Sequence, residues 1–179
     1  VTGRVDWSSA LAWTDTKSVA YPSVGVSAIL TELLPIKNNV LTFLKVRGSY
    51  SEVGNAPTRY IAYQTYPYES ASPVTATTYP NTDIKPERTK AWEVGLQSHL
   101  WNDKLELNVS LYKTSTYNQL FNPSISASSG YSSIYINGGQ VDNKGIEASL
   151  TLNQPLGPVQ WNSTFTYTIN RNKIKKLLK

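Results

Sequence analysis

The chain has 179 residues, enough for one ordinary domain, and carries no Cys and no Met. The absence of Cys excludes a disulfide framework, a thiolate-ligated zinc site and a thiol nucleophile. Charged residues make up 16%, below the roughly 25% of an average soluble domain, and the net charge of +5 gathers in the tail at Arg171, Lys173, Lys175, Lys176 and Lys179. The remaining charge is scattered, which argues against nucleic-acid binding, where it would concentrate on one face. No apolar run approaches the ~20 residues of a membrane helix, so a bilayer could be crossed only by strands.

In chain order, period-2 alternation predicts seven long strands. The first covers about 3–12, with Val5, Trp7 and Leu11 opposite Arg4, Asp6 and Ser8. The second covers about 19–30, with Val24, Val26, Ala28 and Leu30 against Ser23, Gly25 and Ser27. A short helical turn near Glu32 to Leu34, stopped by Pro35, follows it. The third covers about 41–53, with Leu44, Val46 and Tyr50 against Lys45, Arg47, Ser49 and Ser51.

The fourth covers about 88–101, with Trp92, Val94, Leu96 and Leu100 against Glu93, Gln97 and His99. The fifth, about 103–119, sets Leu105, Leu107, Val109 and Leu111 against Lys104, Glu106, Asn108, Ser110 and Tyr112. The sixth, about 140–154, sets Ile146, Ala148, Leu150 and Leu152 against Glu147, Ser149, Thr151 and Asn153. The seventh, about 158–171, sets Val159, Trp161, Phe165, Tyr167 and Ile169 against Gln160, Asn162, Thr164, Thr166 and Thr168.

One face of each strand is apolar. A soluble sandwich buries that face, whereas a membrane barrel turns it outward to lipid. Three features favour the barrel. The strands are longer than the usual 5–6 residues and match the ~9–11 of a tilted membrane strand. Their polar faces are mainly Ser, Thr, Asn and Gln, which suits a wet lumen. Tight turns near 101–104 and 154–158 alternate with long links at 54–86 and 122–139, as in outer-membrane barrels, although the link at 13–17 is short for the long-loop rim. Trp101 and Trp161 flank the tight turns, where an interfacial girdle would lie. The predicted fold is therefore all-β: an antiparallel up-and-down transmembrane β-barrel segment of about seven long strands, an incomplete barrel with long extracellular loops. Seven is odd and fewer than the eight of the smallest membrane barrels, so the outer two strands need partners from elsewhere.

Three strings sharpen the reading: "SYSEVGN" (49–55), "KPERTKAWEVGL" (85–96) and "INGGQVDNKGIE" (136–147). In this order and spacing the chain resembles the SusC/RagA family of TonB-dependent outer-membrane transporters along nearly its whole length. The resemblance implies a chain several times longer, forming a barrel of roughly 22 strands around an N-terminal plug. It implies residence in the outer membrane of a Gram-negative bacterium, in contact with outer-membrane lipid. It implies coupling to the TonB complex through an N-terminal TonB box, a SusD-like surface lipoprotein as lid, and glycan or peptide cargo. Residues 1–179 would then be part of one β-barrel domain, with the plug, the TonB box and the C-terminal strand outside this stretch.

Within the strings, Gly145 is expected to supply a bulge or a positive φ, Gly54 and Asn55 to end the third strand, and Lys85-Pro86 to lead into the fourth.

No catalytic, cofactor-binding or metal-binding residue is predicted. His99 is the single His and lacks a companion cluster, no G-x-S-x-G string exists, and Gly138-Gly139 lacks a phosphate-loop pattern. The candidate contact residues for cargo or lid are Tyr60, Tyr63, Tyr66, Tyr68 and Tyr79 in the first long loop and Tyr131 and Tyr135 in the second. Tyr offers a flat apolar face and a hydroxyl, which suits sugar rings and peptide side chains, and equally suits loop-on-loop packing. The alternatives are a soluble β-sandwich carbohydrate-binding module, a passive outer-membrane porin and an outer-membrane hydrolase barrel.

Overall fold

The computed structural model describes residues 1–66, 68–69, 72–73 and 76–177, with the side chains of 68, 69 and 73 left aside. Seven long strands form one antiparallel sheet in sequence order: β1 (Thr2–Trp7), β2 (Ser18–Ile29), β3 (Leu41–Asn55), β4 (Glu87–Leu100), β5 (Leu105–Phe121), β6 (Ile136–Leu156) and β7 (Val159–Lys176). The sheet is open, with β1 and β7 at its edges. No second layer packs on it among the described residues, which rules out the sandwich.

The register stacks the apolar sets of all the strands on one face. Ala28, Val46, Leu96, Val109, Ala148 and Tyr167 form one cross-strand row, and Val26, Gly48, Val94, Leu111, Ile146 and Ile169 form the next. This face is the exposed one. Trp92 is 45% exposed, Val94 51% and Phe165 62%, while Ser110 on the opposite, polar face is buried. The buried apolar side chains of the described residues are Ala10, Leu11, Val19, Ile61, Ala62, Ala76 and Ile84, all at the long-loop end. A soluble sheet would show the reverse, so the hydrophobic face has lipid as its solvent.

The band has the right height. From Ile146 to Leu156 is ten residue steps, roughly 34 Å along the strand and about 26 Å at a ~40° tilt, against the ~25 Å apolar band of outer-membrane barrels. At the short-turn end Trp101 and Trp161 are both exposed.

Two strand ends differ from the sequence expectation. β1 stops at Trp7 instead of near residue 12. The Ser8 hydroxyl accepts a hydrogen bond from the Ala10 amide and caps a 3-10 turn over Ser9–Leu11, which buries Leu11. The first link therefore runs over 8–17 and ceases to be short for its rim. At the other end, β6 and β7 extend several residues beyond the predicted limits. The predicted helical turn is α1 (Leu30–Leu33).

The tight turns differ in kind. Gly157 (φ 64°) and Pro158 close a two-residue hairpin between Leu156 and Val159. Trp101, Asn102 and Asp103 all take positive φ, 52°, 54° and 64°, to turn β4 into β5.

Gly145 supplies neither the expected bulge nor a positive φ. The β6–β7 register is regular there and shifts instead between Gln140 and Val141, beside Gly139 at φ 75°. Gly145 is required by close approach: a Cβ would press on the Tyr112 hydroxyl and the Ile169 carbonyl oxygen. β3 does end at Asn55, and Lys85-Pro86 does lead into β4. Asn137 holds that entry. Its amide oxygen accepts from the Lys85 N–H at 2.6 Å, and its amide nitrogen donates to the Lys85 and Asn118 carbonyls at 2.8 and 2.9 Å.

Candidate functional site

The polar face of the sheet is a wall of short side chains. One of its rows runs Ser27, Arg47, Gly95, Ser110, Glu147 and Thr168. Arg47 is its most extended member. It lies over Gly95, where a Cβ would sit 2.6 Å from Nε, and so crosses β4 to donate to the Ser110 hydroxyl on β5. Its Nε is 3.4 Å from Glu93 Oε1. A half-exposed ion pair of this kind adds little to stability, so its effect is to fix where a cation stands on the wall.

His99 lies lower on the same wall. Its Nδ1 is 2.8 Å from Asp103 Oδ1, and its ring packs on Phe43 at 4.8 Å. No group of three or more metal-ligating side chains occurs among the described residues.

The tyrosines stand above this wall, on the long-loop rim, in two connected groups. Tyr63 packs on Trp13 at 5.1 Å and edge-on against Tyr60 at 5.9 Å. Tyr79 meets Tyr131 edge-on at 5.2 Å. These are the tilted and T-shaped arrangements that the ring quadrupole favours. A two-residue parallel pairing of Thr78–Tyr79 with Ser133–Ile134 clips the two loops together. Ser132 adds two bonds to the Thr77 carbonyl, and the Asn81 amide donates to the Tyr135 carbonyl. A hollow of about 130 Å³ lies beside the first group, lined by Tyr60, Ile61, Tyr63, Thr65, Ala76, Thr77 and Thr78.

Of the seven predicted tyrosines, then, Tyr60 and Tyr63 pack together and Tyr79 and Tyr131 pack together. Tyr135 joins the rim through its backbone, and Tyr66 is exposed without an aromatic partner among the described residues. The side chain of Tyr68 lies outside the described residues. Tyr60 holds a positive φ of 68°, uncommon for an aromatic residue. Sequence reasoning missed Trp13, whose only signal was a large aromatic in an otherwise polar link.

Residues 1–177 match the family model described as "TonB dependent receptor-like, beta-barrel". The chain belongs to this family.

Among curated relatives, the TonB-dependent receptor P3 of Formosa agariphila is 30% identical over 98% of this chain, and receptor P26 of the same bacterium is 28% identical over 98%. The chain spans about a fifth of the length of these relatives, 18% and 19%. Among solved structures, the RagAB peptide transporter superposes with a TM-score of 0.82 at 25% identity, covering 98% of this chain and 20% of that one. The closed-closed state of the RagAB peptide importer gives 0.83 at 24% identity, a likeness of fold. The protein is thus a TonB-dependent receptor barrel segment of SusC/RagA type, residing in the outer membrane of a Gram-negative bacterium. The short turns of such barrels face the periplasm and the long loops face outside, so the tyrosine rim is extracellular.

Proposed function

We propose that residues 1–179 are part of the single barrel domain of a TonB-dependent transporter that imports glycans or peptides across the outer membrane. The observation that carries this reading is the inside-out sheet, matched along almost the whole chain to the receptor-barrel family. The chemistry is binding and gated passage without bond-making. The polar wall around Arg47 faces a plug supplied by the rest of the transporter. The plug's TonB box engages the TonB complex. The rim tyrosines contact cargo or a SusD-like surface lipoprotein, which acts as a lid. Resemblance to an importer whose name states peptides supports the peptide half of this cargo class.

Deleting the intact gene and following uptake of labelled oligosaccharide and oligopeptide mixtures tests the proposal. Loss of uptake of one mixture, with the same loss on collapsing the proton gradient in the wild type, supports energised import. Uptake that needs the gene but persists without the gradient indicates a passive porin.

A further inference from the structure

The apolar face does not end evenly. On β2, β3 and β4 its uppermost row is Val24, Tyr50 and Trp92. The same row continues across β5, β6 and β7 as Lys113, Lys144 and Arg171, since Trp92 pairs with Lys113, Lys113 with Lys144 and Lys144 with Arg171. Three adjacent strands thus present three cations on the lipid-facing side, directly above the apolar row Leu111, Ile146 and Ile169. One step higher, Lys173 pairs with Asp142 across β6 and β7.

These side chains line a recess of about 830 Å³ with Trp92 and Lys175. A second recess of about 380 Å³ continues from Trp92, Lys113, Lys144 and Arg171 down onto Leu111, Ile146 and Ile169. Asp142 is the one acidic side chain lining either recess, and it lies 3.5 Å from Lys113. Lys144, Arg171, Lys173 and Lys175 have no acidic partner within 4 Å among the described residues. Elsewhere on this face Lys90 is matched: it lies 3.5 Å from Glu52 and over the Tyr117 ring.

We infer that this patch is a binding site for the phosphorylated headgroup of an outer-leaflet glycolipid, whose acyl chains run down the apolar rows below it. Charge complementarity selects the headgroup: five cations against one carboxylate require an anion, and an Arg with several Lys suits phosphate. Continuity with the apolar rows selects a lipid over a soluble anion, because the same recess offers cations above and aliphatic side chains below. The extracellular position selects the outer leaflet. The inference rests on the orientation of the barrel and not on what the protein imports.

The test uses the intact transporter in bilayer discs of phosphatidylcholine containing either diphosphorylated lipid A or the same lipid enzymatically stripped of phosphate. The readouts are glycolipid retained per protein after re-extraction and the melting temperature. The wild type should retain the phosphorylated form and melt higher with it than with the stripped form. Combined Lys113→Gln, Lys144→Gln and Arg171→Gln should cut retention at least roughly fivefold, whereas Lys17→Gln with Lys37→Gln and Lys104→Gln should not.

Equal retention by the two sets of variants would overturn the inference, as would equal effects of the two lipids or full reproduction of the melting shift by inorganic phosphate alone. If the first set does not fold, as judged by heat-dependent gel mobility, the wild-type comparison of the two lipids decides by itself. Loss of this site would leave energised uptake intact, so its failure and that of the import reading are separable.

Discussion

Single residues in this sheet are constrained mainly by what lies across the strand. Gly145 has no room for a Cβ against Tyr112 and the Ile169 carbonyl, whereas Gly3 has nothing within 4 Å of where one would stand. Gly145→Ala in the intact protein should therefore cost about 1–3 kcal/mol, the usual range for overpacking, and Gly3→Ala should be near neutral. Urea unfolding followed by tryptophan fluorescence in liposomes measures both. The glycine was legible as special in the sequence, but its reason was not, because the ring lying over it belongs to a strand more than thirty residues away.

The rim tyrosines are residues of another kind. Replacing Tyr60, Tyr66, Tyr79, Tyr131 and Tyr135 together by Ala should leave the barrel's melting temperature within a few degrees, since none of them lies in the sheet's apolar rows. Cargo uptake or lid association should fall by about tenfold or more, the scale at which loss of one or two aromatic contacts shows. Unchanged uptake and unchanged lid association would remove the tyrosines from the contact surface.

Elements were largely readable because alternation in this chain is strong and runs through every strand. The limits that were misjudged have local causes. At Ser8 a side-chain cap competes with strand continuation, and polar residues beyond Asn170 continue as strand because β6 pairs with them. The turn at 101–103 was expected, but its three consecutive left-handed residues were not, since Trp is a poor candidate for positive φ. Asn102→Gly should leave stability unchanged or slightly improved, and Asn102→Val should lose about 1–2 kcal/mol, because a β-branched side chain is disfavoured at φ 54°. Refolding yield into liposomes should follow the same order.

For the whole molecule the deciding question is which face meets lipid. The strand pattern alone leaves it open, because a sandwich and a barrel share it. Length, the uncharged polar face and the loop asymmetry favoured the barrel, and the exposure of Val94 and Phe165 on one face against the burial of Ser110 on the other agrees. The loop-on-loop clip of Thr78–Tyr79 with Ser133–Ile134 was beyond sequence reading, since two-residue pairings carry no periodicity. A lipid-facing midplane makes Leu107→Arg costly by about 2–4 kcal/mol, while Asn108→Lys on the wet face should be tolerated.

The most direct measurement places nitroxide labels one at a time along residues 105–112 of the intact protein in outer membranes. Collision with dissolved oxygen and with a water-soluble nickel chelate is then compared at each position. Oxygen accessibility should peak at 105, 107, 109 and 111 and chelate accessibility at 106, 108, 110 and 112. An inverted phase, or high chelate accessibility on both faces, would contradict a lipid-facing apolar wall.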